Sequence, residues 1–174
     1  MNAQEILALY SGGHRDFSHV SLVRACLTHA NLIGAKLVGA ELVGADLRGT
    51  NLTKAYLDQA KLNQTNLAYA AMVQACLIQA DLSNADLSGA DLSGANLGGS
   101  NLCKADLSTA NLSGSDLRCA DLTGANLRDT NLAGADLTGA YLGEADFTGA
   151  NLDDTHIEMA GLSKTKTSDG AILA

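Results

Sequence analysis

The sequence contains no proline and no tryptophan, and aromatic residues make up only 3% of its 174 residues. Ala and Leu occur 29 times each, a composition compatible with a coiled coil, but 18 glycines spread along the chain argue against long helices. Basic residues are also scarce, with 11 Lys and Arg against 19 Asp and Glu and a net charge of −8. This balance argues against direct nucleic-acid binding, which needs clustered Lys and Arg.

Long hydrophobic runs are absent as well. Near the N-terminus the longest apolar run extends from Ile6 to Tyr10, which is too short for a signal peptide or a membrane span. The four cysteines show neither a metal-binding spacing nor a disulfide framework; they are Cys26, Cys76, Cys103 and Cys119. We therefore expect a cytoplasmic protein that binds no membrane, no metal and no cofactor.

A five-residue repeat dominates the sequence. A large apolar residue recurs at every fifth position from Phe17 to Leu162, which makes thirty consecutive pentapeptides over residues 15–164. The central residue is Leu in 26 of them, and Ala precedes it by two positions in 22. Asp or Asn dominates the position between Ala and Leu, as in residues 85–89.

A period of five fits neither regular secondary structure. Five residues advance about 500° around an α-helix, so the Leu positions would wind around it. In a flat strand, successive Leu side chains would point to opposite sides. The period is satisfied if the chain bends after each pentapeptide, which predicts a β-solenoid with every Leu directed to one axis. Twelve pentapeptides end in Gly, the third residue of a four-residue turn, where a type II turn requires positive φ.

The Asn residues predict how many pentapeptides form one coil. If residues twenty apart stack, one column of the Asp/Asn position contains five of the nine Asn residues found there. Stacked amides can hydrogen-bond along such a column, whereas stacked carboxylates repel each other. We therefore predict four pentapeptides per coil and about 7.5 coils. The column is Asn31, Asn51, Ala71, Asp91, Asn111, Asn131 and Asn151.

The repeat resembles that of the pentapeptide repeat family, whose pattern is A(D/N)LXX, and the resemblance covers residues 15–164. The opening is similar to that of cyanobacterial members, one of which restrains heterocyst differentiation. It consists of Glu5-Ile6-Leu7, Tyr10, Gly13, Arg15 and Phe17. The resemblance implies an all-β fold, a right-handed quadrilateral parallel β-helix preceded by a short N-terminal capping helix.

We interpret residues 1–174 as one pentapeptide-repeat domain. Residues 2–14 are expected to form a helical cap and link, with Asn2 as the N-cap. Residues 165–174 hold Ile172 and Leu173; they either fold over the last coil or leave that end free to pair with a second copy. Related proteins that dimerise do so through the C-terminal coil, so the resemblance leaves a homodimer through this end and a monomer as equal alternatives.

The interior of the rod is expected to be packed and to lack a catalytic cavity. We predict no catalytic residues, and the four histidines are too scattered for a metal site. The predicted core includes Phe17, Leu47, Leu67, Leu87, Leu107, Leu127 and Phe147.

Seven successive pentapeptides, with central residues from Leu52 to Leu82, end without glycine. Either these turns are of another type, or their residues form a partner-binding band. Tyr, Gln and Lys suit such a band because they offer contact area and hydrogen bonds. The candidate partner surface is Lys54, Tyr56, Gln59, Lys61, Gln64, Tyr69, Gln74 and Gln79.

Charge differs between the two halves. Residues 1–74 hold six bases and five acids, a net charge of +1, whereas residues 75–174 hold five bases and fourteen acids, a net charge of −9. These acids either keep a solvated rod soluble or form an acidic surface. The candidate acidic surface is Asp81, Asp86, Asp106, Asp116, Asp121, Asp136 and Asp146.

These observations predict a non-enzymatic scaffold that binds a protein partner, as yet unidentified, through the solenoid surface and acts in interaction or regulation. The family resemblance implies an alternative, because some members protect DNA gyrase as acidic mimics of DNA. In that case the partner is DNA gyrase or another DNA-handling enzyme.

Overall fold

Parallel pairing between residues twenty positions apart organises the chain. The computed structural model describes residues 1–171, so Ile172 and Leu173 lie outside the described residues. The β-structure consists of 27 single-residue parallel bridges, each joining residue i to residue i+20, from Asp16 with Lys36 to Asp146 with Lys166. One coil therefore contains twenty residues, or four pentapeptides, which is the period indicated by the Asn residues.

The stacking of coils produces four columns of pentapeptides. Columns A, B, C and D begin with the pentapeptides centred on Phe17, Leu22, Leu27 and Leu32, and each column gains one member every twenty residues. Adjacent members of a column lie about 4.8 Å apart along the stack. A residue's column therefore decides which side of the stack it occupies.

Helix α1 (Ala3–Ser11) precedes the first coil. The side chain of Asn2 accepts the backbone N–H of Glu5 at 2.9 Å, and the Glu5 carboxylate accepts the N–H of Asn2 at 2.8 Å. This capping box satisfies two N–H groups that have no partner within the helix. Gly12 ends α1 and donates its N–H to the carbonyl of Ala8.

Helix α1 covers the N-terminal end of the stack. Ile6 is fully buried in the same apolar cluster as Phe17. The hydroxyl of Tyr10 donates to the carbonyl of Ile33 at 2.9 Å, which joins the helix to column D. The apolar side of α1 thus protects the first layer of core side chains from water.

Leu and Ala side chains fill the interior of every coil. Because residues two apart on an extended backbone point to the same side, the central residue and the Ala before it are buried together. The seven representative core positions are all 0–4% exposed, namely Phe17, Leu47, Leu67, Leu87, Leu107, Leu127 and Phe147. In such a core, truncating one buried Leu to Ala costs about 2–5 kcal/mol of stability.

Each pentapeptide places its backbone N–H groups in a repeating way. In residues 86–90, the N–H groups of Asp86, Leu87 and Gly89 donate to carbonyls of adjacent coils at 2.9, 2.7 and 2.9 Å. The N–H of Ala90 closes the turn on the carbonyl of Leu87 at 3.0 Å. The fifth N–H, that of Ser88, donates to Oδ1 of Asp86 at 3.0 Å. We call this last bond the turn cap.

The third residue of every turn has positive φ. This angle is 61–75° at the twelve glycines and 54–61° at the eighteen other residues. In the glycine-free band, Lys54 and Tyr69 have φ of 57° and 58°, and the N–H of Ala55 donates to the carbonyl of Leu52 at 2.9 Å, as in the glycine turns. The alternative that the third residue here adopts another turn conformation is therefore wrong. Each non-glycine residue in this region carries strain of about 1–3 kcal/mol.

Several turn glycines also make room for a side chain of the preceding coil. A Cβ added to Gly89 would lie 2.6 Å from the Tyr69 ring, and one added to Gly39 would lie 2.5 Å from the His19 ring. A real Cβ could not approach so closely without displacing the ring. Glycine is thus required at these turns both for its φ and for the absence of its side chain.

We predict that Gly89→Ala destabilises the protein more than Gly114→Ala. Both residues have φ near +63°, but no atom of the described part of the chain lies within 4 Å of a Cβ added to Gly114. Gly114→Ala should lower the free energy of unfolding by about 1–2 kcal/mol through its backbone conformation alone. Gly89→Ala should lower it further, because the added Cβ also clashes with the Tyr69 ring. Urea denaturation measures both, and Tyr69→Ala combined with Gly89→Ala should remove the extra loss. Equal stabilities of the two single variants would contradict this explanation.

Candidate functional site

The structure divides the candidate partner surface among all four columns. Column A receives Tyr56, Gln59 and Gln79, whereas Lys61 and Gln64 lie on column B. Tyr69 lies on column C, and Lys54 and Gln74 lie in adjacent coils of column D. A single flat partner could contact only one or two adjacent columns, so the band does not form one surface.

Column A carries the largest group of contact residues from this band. We define the column A patch as Tyr56, Asp58, Gln59, Ile78 and Gln79. Tyr56 is 49% exposed and Ile78 is 39% exposed. The amide nitrogen of Gln59 lies 3.5 Å from the amide oxygen of Gln79 in the next coil. The patch thus combines two exposed apolar side chains with two exposed amides.

Asp58 links two coils inside this patch. Its Oδ1 accepts the N–H of Ile78 at 3.2 Å and the thiol of Cys76 at 2.9 Å. Cys76 stands where Asp or Asn normally supplies the turn cap, so Asp58 of the preceding coil supplies it instead. Nothing in the sequence marks Asp58 for this role, because its partners are 18 and 20 residues away.

The same contact fixes the protonation of Cys76. Burial, followed by the hydrogen bond and the negative charge of Asp58, raises the pKa of this thiol to about 11. The thiol therefore stays protonated at neutral pH and acts as a hydrogen-bond donor. It is a structural residue, since thiolate is the reactive form of cysteine.

A shallow depression of ≈ 420 Å³ continues the patch along column A. It exists because Gly98 has no side chain, whereas Ile78 and Arg118 occupy the equivalent positions one coil away on either side. The remaining lining residues are Asn96, Asp116, Cys119 and Thr138. The depression is open to solvent.

Arg118 forms the far rim and is held by two carboxylates. Its Nε and Nη2 donate to the two oxygens of Asp116 at 2.9 and 2.6 Å, and Nε lies 3.7 Å from Asp136. Hydrogen bonding to Arg118 lowers the pKa of Asp116, and hydrogen bonding to Thr138 lowers the pKa of Asp136. Both carboxylates are therefore charged at neutral pH.

The candidate acidic surface is likewise spread around the stack. Asp116 and Asp136 lie on column A. Asp81 and Asp121 lie on column B, and Asp86, Asp106 and Asp146 lie on column C. The geometry therefore does not bring the seven carboxylates together on one side.

Each of these seven carboxylates supplies a turn cap. Oδ1 of the Asp accepts the N–H two residues later at distances of 2.9–3.1 Å. Asn makes the same bond elsewhere, as Asn111 does with the N–H of Ser113 at 3.2 Å. From residue 83 to residue 138, all twelve successive turns are capped in this way. This turn chemistry explains why Asp or Asn occupies these positions; the sequence interpretation missed it, although the Asp/Asn preference was its signal.

Residues 1–171 contain no group of three or more His, Cys, Asp or Glu side chains placed to hold a metal ion. Over the same residues, no helix combines the length and the apolar character needed to cross a membrane.

The C-terminal end of the stack has no covering helix within the described residues. Thr165 is buried and donates its hydroxyl to the carbonyl of Leu142 at 2.7 Å, and Lys166 pairs with Asp146 in the last bridge. Ile157 remains 45% exposed next to the half-buried Leu152. An apolar surface is therefore left at this end by residues 1–171.

Comparison with known proteins identifies the family. The family model described as Pentapeptide repeats (8 copies) matches seven overlapping segments that together span residues 16–166. The chain therefore belongs to the pentapeptide repeat family, as the A(D/N)LXX pattern indicates.

Solved structures of cyanobacterial proteins are similar to this chain. HetL from Nostoc sp. strain PCC 7120, described as involved in heterocyst differentiation regulation, is 30% identical over 99% of this chain and 100% of its own, with a TM-score of 0.53. A pentapeptide repeat protein from Cyanothece 51142 is 40% identical over 53% of this chain and 61% of its own, with a TM-score of 0.50.

An uncharacterised protein of Synechocystis sp. strain PCC 6803 is 62% identical over 29 residues, which are 17% of this chain and only 18% of that relative's length.

We predict that Asp106→Asn preserves stability whereas Asp106→Ala reduces it. Oδ1 of Asp106 accepts the N–H of Ser108 and the side-chain amide of Asn126, both at 2.9 Å. Asn keeps an oxygen at this position and removes the like charge stacked on Asp86. Ala leaves the cap unmade and should cost about 1 kcal/mol in urea denaturation. A similar loss in both variants would show that charge, rather than the cap, is what this position contributes.

Proposed function

We propose that the protein is a non-enzymatic interaction or regulatory scaffold that binds a protein partner through the outer surface of its coils. We propose also that the coils form a right-handed quadrilateral β-helix, as the family resemblance implies. The i to i+20 bridges and the turn in every pentapeptide support the four-sided form. The similarity to HetL along the whole chain supports a regulatory role.

The column A patch is the observation that carries this proposal. Here two exposed apolar side chains, Tyr56 and Ile78, lie beside paired amides and next to a depression that can receive a side chain. Protein interfaces are built from such combinations, with aromatic anchors, apolar neighbours and hydrogen-bonding groups at the rim. A catalytic site instead requires unlike groups that converge in a sheltered cavity.

The acidic DNA mimic, bound to DNA gyrase or another DNA-handling enzyme, remains the alternative function. The net charge of −9 in residues 75–174 supports it. Its support is weaker because the carboxylates occupy several columns and are engaged as turn caps. Arg118 and Lys166 further neutralise the carboxylates of Asp116 and Asp146.

We propose a cytoplasmic location and action without a cofactor. All four cysteines are free thiols, which supports a reducing compartment.

The partner surface is tested by paired substitutions on different columns. Tyr56→Ala combined with Ile78→Ala should abolish capture of the partner from native extract, because it removes both apolar anchors of the column A patch. Tyr141→Ala is the matched control, since Tyr141 is 62% exposed on column B. Quantitative mass spectrometry should find a protein retained by the wild type and by Tyr141→Ala but lost from the column A variant. A protein captured equally by all three, or captured by none, contradicts this assignment.

We propose in addition that a second copy covers the C-terminal end. The exposed side chain of Ile157 and the neighbouring Leu152 and Leu162 form an apolar layer there, whereas α1 covers the opposite end. Two such layers can pack face to face as an isologous interface.

Light scattering coupled to size exclusion tests the dimer. The wild type should have about twice the mass of the Ile157→Asp variant, because the introduced charge would be buried at the interface. Ile33→Asp changes an exposed Ile far from this end and should leave the mass unchanged. A monomeric wild type rules the homodimer out and leaves the column A proposal untouched.

A further inference from the structure

The turn cap is missing from three successive turns of column B. Within residues 1–171, nineteen turns have an Asp or Asn whose Oδ1 accepts the N–H two residues later, at 2.9–3.3 Å. In the first three coils of column B, the capping position is held by Ser21, Glu41 and Lys61. The N–H groups two residues later have no acceptor within residues 1–171. These are the N–H groups of Val23, Val43 and Asn63.

The capped turns define what these three N–H groups bind best. At nineteen other turns the same N–H donates to a carboxylate or carboxamide oxygen of the residue two positions before it. A free N–H in the same position can receive an equivalent oxygen from another molecule. A carboxylate gives the stronger bond, because hydrogen bonds to an ionised acceptor are stronger than those to a neutral one.

The surroundings of these turns favour an acidic and partly apolar ligand. Val23 is 50% exposed, and Val43 stacks above it in the next coil, half-buried. Glu41 and Lys61 neutralise each other through an ion pair of 2.9 Å. Arg24 is exposed and makes no ion pair among the described residues, so it leaves this stretch of the column with a positive charge.

The spacing of the donors selects the shape of the ligand. Three successive members of a column span about 9.6 Å along the stack. Side chains at positions i, i+4 and i+7 of an α-helix share one side and span about 10.5 Å. Three alternate side chains of a β-strand span about 13 Å, which overshoots by more than 3 Å. An acidic helix that lies along the stack therefore matches the three donors, whereas an extended chain does not.

We propose that column B from Val23 to Asn63 is a docking site for an acidic amphipathic helix of a partner protein. Three carboxylates at i, i+4 and i+7 of that helix accept the N–H groups of Val23, Val43 and Asn63. Its adjacent apolar side chains contact the valines, and Arg24 adds charge complementarity. The site shares no residue with the column A patch, so each can be tested by its own substitutions.

A synthetic peptide tests the docking site on the full-length protein. The probe is an Ala-based helical peptide with Glu at i, i+4 and i+7 and with Leu beside them, and its binding is followed by isothermal titration calorimetry. We expect the Glu peptide to bind at least tenfold more tightly than the same helix with Gln at those positions. An extended peptide with Glu at alternate positions should bind more weakly than the helix. Absence of binding by the Glu helix, or equal binding of all three peptides, would overturn the proposal.

Matched protein variants locate the site. Ser21→Asn with Lys61→Asn supplies the missing caps at Val23 and Asn63, because Asn caps many turns of this chain. Ser21→Gln with Lys61→Gln makes the same change of charge, breaks the same ion pair and has side chains one methylene too long to reproduce the Asn cap. The Asn variant should lose about tenfold or more in peptide affinity relative to the Gln variant, and its melting temperature should be higher. Equal affinities in two folded variants would show that the N–H groups do not take part.

Discussion

Backbone N–H groups need acceptors, and because the described chain forms no extended strand, the way each pentapeptide supplies them shapes the rest of the protein. Three N–H groups are satisfied by neighbouring coils and a fourth by the turn itself. Only the N–H of the second turn residue depends on a side chain, as Ser88 depends on Asp86. The preference for Asp and Asn before Leu has its physical cause in this one donor.

The turns impose a second constraint, which acts between coils. Their third residue has positive φ throughout, and a bulky side chain there leans toward the next coil. Glycine follows twenty residues later at several of these positions, as Gly49 follows His29 and Gly89 follows Tyr69. The rings of His29 and Tyr69 are thus tolerated because the coil above has no side chain there to displace.

The sequence predicts the interior far better than it predicts the surface. The core at Leu87 and Leu107 follows from a five-residue period alone, and the Asn residues indicate which positions stack. The division of Tyr56 and Tyr69 between columns A and C also follows once the twenty-residue coil is fixed. The contact of Asp58 with Cys76 could not be predicted, because no local pattern requires a side chain to cap a turn in another coil.

The exchangeability of Asp and Asn as caps has a consequence for how electrostatics should be interpreted in this architecture. Substitution between the two changes the formal charge of a turn by one unit and retains the oxygen that the backbone needs. The isoelectric point can therefore drift during evolution while the geometry is conserved. Relatives with opposite surface potentials can share one binding role, and relatives with similar potentials can differ in theirs. The positions of the uncapped turns are therefore a better basis than surface charge for comparing binding roles among relatives.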